Sequence, residues 1–242
     1  TDITAGISLG GGGKLQCINR LHWNLAPDLV LFDIDGTLVR KTGLWHRHSL
    51  HEAVTRVFGI EGTTEGIPVH GMLDTDILTL MLRAQGVDDR DITLAMPELI
   101  RAAEEYYLAN TPELPNVQCP GVPELLDALA AQGTALALVT GNFTRIGWRK
   151  LERAGLGGRF LFGAFGEMAA TRGGLAKLAI ERARAENRIA PDARISLIGD
   201  APQDVRAAKE NGIQSIAVRT GVTPPGDLEA EQPDHLLADL TH

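Results

Sequence analysis

Asp33 and Asp35 stand two positions apart at the end of an apolar run, Leu29-Val30-Leu31-Phe32, with Gly36 and Thr37 directly behind them. A short continuous apolar run is the mark of a strand buried on both faces. Its polar end is where an open parallel sheet places a ligand, outside the carboxyl ends of the strands. Two further runs end in the same manner. Residues 135–139 lead into Thr140-Gly141-Asn142, and residues 195–198 lead into Gly199-Asp200-Ala201-Pro202-Gln203-Asp204. Asp33, Asp35, Asp200 and Asp204 would then crowd one crevice, where carboxylates raise one another's pKa and are costly to desolvate. A hard divalent cation such as Mg²⁺ relieves that crowding, taking a few carboxylates and keeping waters or phosphate oxygens as its other ligands. Asp33 and Asp200 are the best candidate metal ligands. The cation would also let an anionic phosphoryl group approach an anionic nucleophile.

The remaining polar groups fit an anion. Thr140 supplies a hydroxyl, while Gly36 and Gly141 allow close backbone approach with N–H groups aimed at the ligand. For a positive side chain, Arg172 sits just ahead of an apolar helical pattern and can reach the strand ends; Lys177, inside that helix, is the second candidate. Read alone, Thr140 would serve equally as a helix cap, and Asp204 would equally suit the positive end of its helix.

These groups need a frame. A fourth apolar run covers residues 214–218, and a weaker fifth covers 160–162. Helical patterns lie between, at 122–132, 145–153, 175–185 and 204–211, several closed by Gly133, Gly155 and Gly212. Strand and helix alternating at this spacing predict an α/β fold, a parallel sheet with helices on both faces. Between about Lys41 and Pro120 no strand pattern occurs. Amphipathic stretches at 46–58, 75–85 and 96–110 predict an inserted helical domain over 41–119, flanked by core segments 27–40 and 120–242. Residues 1–26 carry Gly10-Gly11-Gly12-Gly13 and read as a flexible extension, with a short edge strand near residues 15–18 as the other reading.

Composition narrows the classes. The 242 residues are 44% hydrophobic, enough for a sizeable core. A net charge of -8 argues against nucleic acid or an anionic membrane as partner. Cys17 and Cys119 form neither a zinc framework nor a disulfide scaffold, so a reduced, cytoplasmic setting is expected. No apolar run approaches the roughly 18 residues of a membrane helix, and no basic-then-apolar leader opens the chain. The stretch Trp45-His46-Arg47-His48-Ser49-Leu50-His51 invites a zinc reading, but no nearby cysteine or spaced acid completes a site. A solvated helix surface is expected there, with one residue touching substrate as the milder alternative. Residues 70–74 read either as a loop facing the site or as the start of the next helix.

DIDGT at 33–37, LVTGN at 138–142, Arg172 before a helix and LIGDAPQD at 197–204 occur in that order. They resemble the four motifs of the haloacid dehalogenase-like superfamily, and the likeness spans roughly Asp28 to Leu240. The resemblance implies a Rossmann-like core with a C1-type helical cap, most like the phosphoglycolate phosphatase-like hydrolases. Carried over by position, Asp33 is similar to the nucleophile and Asp35 to the general acid and base. The backbone carbonyl of Asp35 would join Asp33 and Asp200 around Mg²⁺. Thr140 and Arg172 would hold the phosphoryl group, with Gly36, Thr37, Gly141 and Asn142 around it and Asp204 behind. An acid at Asp35 fits phosphate esters, since dehalogenases and phosphonatases of the superfamily lack it. Arginine at 172 departs from the commoner lysine. A small phosphorylated metabolite is the expected partner. The alternatives are a phosphomutase of the β-phosphoglucomutase kind and a binding module that has lost catalysis, although neither Asp33 nor the metal ligands are lost.

Overall fold

A computed structural model of the chain describes residues 29–40, 44–112 and 117–241. The expected N-terminal extension, its edge strand and Cys17 lie outside those residues.

Six parallel strands form one sheet in the order β3-β2-β1-β4-β5-β6. They are β1 (Leu29–Phe32), β2 (Ala135–Val139), β3 (Phe162–Ala164), β4 (Ile195–Gly199), β5 (Gln214–Val218) and β6 (His235–Leu237). β1 is central, pairing Leu29 with Ala135 on one side and Ile195 on the other. Its side chains alternate between two cores, as period-two geometry requires. Val30 and Phe32 join Leu126, Leu138 and Leu151 on one face. Leu29 and Leu31 join Val139, Leu175, Ala179 and Leu197 on the other. The helices of this α/β layer are α4 (Val122–Ala131), α5 (Thr144–Arg153), α6 (Arg172–Ala185), α7 (Pro202–Glu210) and α8 (Pro225–Ala230).

Three helices lie between β1 and α4: α1 (Trp45–Phe58), α2 (Asp74–Ala84) and α3 (Asp89–Asn110). They share a third core, built on Leu50, Leu78, Leu99 and Tyr107, which also takes in Phe143 and Ile146 from the α/β layer. The chain leaves and re-enters that layer side by side. Val39 bridges Gln118 antiparallel, and Cys119 N donates to Leu38 O at 3.0 Å.

Some boundaries differ from the sequence reading. α3 begins at Asp89 rather than 96, because Asp88 accepts from Arg90 N and caps it. Pro97 sits inside this helix at the cost of one backbone bond. β3 lies two residues beyond the expected 160–162, since Phe160 turns its ring onto Phe32 at 5.8 Å instead of extending the strand. β6 and α8 have no counterpart in the reading.

Candidate active site

A cleft of about 180 Å³ opens between the carboxyl ends of the strands and the inserted helices. The strand side contributes Asp33, Asp35, Thr140, Asn142, Arg172 and Asp200 to its lining. The helical side contributes His46, Met72, Asp74 and Tyr107 among others.

Asp33, Asp200 and Asp204 each bring a carboxylate oxygen to within 4.8 Å of the others. All three are buried. Burial, then the charges of Asp33 and Asp204, push the Asp200 carboxyl up to about 9. Burial likewise lifts Asp204 to about 7, against the pull of Arg172. Asp200 Oδ2 is buried with no hydrogen-bond partner. Oxygen-only donors, crowded and under-satisfied, are the donor set that suits a hard divalent cation. The neighbouring chain is shaped for Asp200: a Cβ on Gly36 would come 2.4 Å from its Oδ2, and one on Gly221 would come 1.6 Å from it. Gly36 also has φ +83°, which glycine alone adopts without strain.

Arg172 is the first residue of α6, just behind the cap Thr171. Its Nη1 donates to Asp33 Oδ1 at 3.0 Å and lies 3.1 Å from Asp204 Oδ1. Burial works against the charge of Arg172, but Asp204 and Asp33 more than offset it and raise its pKa. Lys177 does not reach the cleft; its side chain is 69% exposed and pairs with Glu181. Asp204 does both things open to it, since its Oδ2 also accepts from Ala201 N in the first turn of α7.

Asp35 faces away from this cluster. Its Oδ2 accepts from Asn142 Nδ2 at 2.8 Å and Lys150 Nζ at 2.6 Å. Burial would raise its pKa, yet Lys150, His46 and these bonds outweigh it and hold the carboxyl below its usual value. Thr140 directly follows β2 and caps no helix, although its Oγ1 accepts from Asn142 N at 3.4 Å. Its Oγ1 also accepts from Asn142 Nδ2 at 2.7 Å, which leaves the hydroxyl proton to donate.

Two of the expected anion contacts are otherwise engaged. Gly36 N donates to Val39 O within the turn. Thr37 is fully buried and its hydroxyl donates to Asp200 Oδ1 at 3.3 Å. Gly141 serves a close approach of the inserted chain, because a Cβ there would meet Met72 O at 2.2 Å.

The expectation of a solvated surface fails for His46, which lines the cleft and bonds Asp74 Oδ2 through Nε2 at 2.9 Å. Residues 70–74 fulfil both readings: His70, Gly71 and Met72 line the cleft and α2 starts at Asp74. Sequence reasoning missed Lys150, which is 2% exposed. The signal was its spacing, four residues past Ile146 on the buried face of α5. It also missed the Thr220-Gly221 segment, which follows β5 as the other polar loops follow their strands.

The family model for haloacid dehalogenase-like hydrolases matches residues 30–209. The chain is 29% identical to a phosphoglycolate phosphatase of Pseudomonas fluorescens, over 93% of this chain and 82% of that one. It is 28% identical to a 5'-nucleotidase of Pseudomonas aeruginosa, over 87% and 91%. Among solved structures it resembles a β-phosphoglucomutase of Clostridium difficile, with a TM-score of 0.66 at 18% identity, covering 89% of this chain and 92% of that one.

Proposed function

Because the chain belongs to the haloacid dehalogenase-like hydrolases, we propose that it is a Mg²⁺-dependent phosphatase hydrolysing a small phosphate monoester through an aspartyl-phosphate on Asp33. The observation that carries this reading is the separation of carboxylates. Asp33, Asp200 and Asp204 gather against Arg172, while Asp35 is held apart by Lys150 and Asn142.

A divalent cation held by Asp33, Asp200 and the Asp35 carbonyl, with Asp204 alongside, would neutralise the phosphoryl group as it transfers. Asp35, which Lys150 keeps ionised in the free protein, takes up a proton from solvent as the anionic ester binds; Asp33 then attacks phosphorus, the bond to the leaving oxygen breaks, and Asp35 gives that oxygen the proton. Asp35 then takes a proton from water, whose oxygen bonds to phosphorus. The acyl-phosphate bond breaks and its electron pair returns to the Asp33 carboxylate. Arg172 orients Asp33 and stabilises equatorial charge, and Thr140 donates its hydroxyl proton to a phosphoryl oxygen. The helical insertion acts as a cap over the core, closing the cleft and excluding water.

Relatives named for phosphoglycolate and nucleotides support a small-metabolite substrate. No helix among the described residues is long and apolar enough to cross a membrane. Cys119 is a buried free thiol that burial pushes up to about 11, and a reduced, cytoplasmic setting suits it.

The test is phosphate release across a panel of phosphorylated metabolites, with Mg²⁺ and with EDTA, for the wild type and Asp33→Asn. Mg²⁺-dependent release that vanishes in the variant is expected. Sugar-phosphate interconversion without net release would replace hydrolase by phosphomutase. Neither activity alongside intact Mg²⁺ binding would indicate a binding module.

A further inference from the structure

We propose that Lys150 is a positioning residue for the acid–base carboxylate of Asp35, held in place from the cap by His46 and Asp74. The inference rests on the phosphatase reading and adds residues to it.

Lysine has three N–H donors and no acceptor. Lys150 Nζ lies 2.6 Å from Asp35 Oδ2, 2.6 Å from Asn142 Oδ1 and 3.2 Å from His46 Nδ1. All three donors are therefore spent on the protein, and none is left for a phosphoryl oxygen. Lys150 acts on the reaction through what it holds. Both contacts to Asp35, from Lys150 and from Asn142, fall on Oδ2. Oδ1 is thus the oxygen presented for proton exchange with the leaving group and with water.

The third donor ties this arrangement to the cap. Because Lys150 can only donate, His46 Nδ1 accepts and the ring proton sits on Nε2, facing Asp74 Oδ2 at 2.9 Å. The same Asp74 oxygen accepts from Phe143 N at 2.9 Å, in the segment that leads into α5. Tyr107 packs edge-on against the His46 ring, with centroids 6.2 Å apart, and fixes its plane. A continuous string therefore runs from α2 through α1 to α5 and ends on Asp35. Moving the inserted helices off the core breaks it at His46. The acid is fully oriented only while the cap is docked.

Leaving-group chemistry separates this role from a merely structural one. An alkoxide leaving from 2-phosphoglycolate needs a proton, whereas p-nitrophenolate does not. General acid–base catalysis contributes roughly 10²–10⁴-fold. Lys150→Met should therefore lower kcat/KM, which reports the steps up to the aspartyl-phosphate and not the water step shared by both esters, by about 100-fold or more on 2-phosphoglycolate, with far less change on p-nitrophenyl phosphate. His46→Leu, which keeps an apolar side chain against Tyr107, should show the same selective loss at smaller size. His46→Gln should restore activity, because its amide can accept from Lys150 and donate to Asp74. Equal losses of kcat/KM on both esters, or unaltered kinetics in His46→Leu, would overturn the proposal. If 2-phosphoglycolate is not turned over, the alkyl ester of the panel that is turned over best takes its place; if the wild type releases phosphate from no ester of the panel, the phosphatase reading itself falls, and this inference falls with it.

Discussion

Asp200→Asn should stabilise the cation-free protein while abolishing its response to Mg²⁺. In the folded chain the Asp200 carboxyl titrates at about 9, raised by burial and by the charges of Asp33 and Asp204. In the unfolded chain it titrates near the ordinary value of about 3.9. Between those values the folded state keeps a proton that the unfolded state has released. Stability therefore falls as pH rises through this window, by about 1.4 kcal/mol per unit. By pH 7 the loss is on the order of 4 kcal/mol. Asparagine has no proton to keep and adds no atom to the tight space between Gly36 and Gly221. It can still accept from Thr37, and its amide can face the Asp33 and Asp204 carboxylates. A net gain of about 2 kcal/mol or more is expected, or roughly 4–8 °C in Tm for a chain of this size. The assay is urea and thermal unfolding in EDTA at pH 5.5, 7 and 8, repeated with Mg²⁺. The gain should grow with pH, and Mg²⁺ should raise the Tm of the wild type alone. A variant no more stable than wild type at pH 8 in EDTA, or a gain equal at pH 5.5 and 8, would refute the reasoning.

Three other outcomes follow from the same geometry. Mg²⁺ affinity should rise with pH from 5.5 to 8, because Asp204 at about 7 and Asp200 at about 9 release protons on binding; calorimetry in two buffers of different ionisation enthalpy reads that release, and a flat affinity would count against it. Arg172→Gln should cost about 10²–10³ in kcat, as loss of a transition-state donor does, while Lys177→Ala, at an exposed position, should leave steady-state kinetics unchanged. Gly221→Ala would place a Cβ 1.6 Å from Asp200 Oδ2, so it should displace that carboxylate and weaken Mg²⁺ binding measured by calorimetry, even where the fold survives by circular dichroism.

The sheet was legible where burial on both faces leaves an uninterrupted apolar run, as at β1 and β2, and still so at β4, which Ser196 interrupts, and at the half-buried β5, where Ile216-Ala217-Val218 carries the pattern. It was not legible at β6, a three-residue edge strand of which no residue is buried. The strand-borne part of the site was equally plain, because a parallel sheet delivers the residues after each run to one edge. That argument reached Asp33, Asp35, Thr140, Asn142, Asp200 and Asp204. Extended to the loop after β5, it would have reached Gly221 as well. Lys150, His46 and Asp74 are different in kind. They come from helices whose docking onto the strand ends is set by the third core, around Leu50, Leu99, Tyr107 and Phe143. Helical periodicity places His46 on the same face as Leu50 and Lys150 on the same face as Ile146. It does not say that those faces meet over Asp35. Thr37 shows the converse. Its place in the first motif suggested a ligand contact, while the turn closed by Gly36 and Val39 carries its hydroxyl to Asp200.

The central claim is that Asp33 is the nucleophile. Its most direct test is acid quenching within the first turnover on a labelled phosphate monoester, followed by peptide mapping of the enzyme. The account predicts one phosphoryl group on Asp33, labile to hydroxylamine as an acyl phosphate is, and absent in Asp33→Asn. A label on another side chain, or a first turnover that releases phosphate with none bound to the enzyme at any time point, would contradict it.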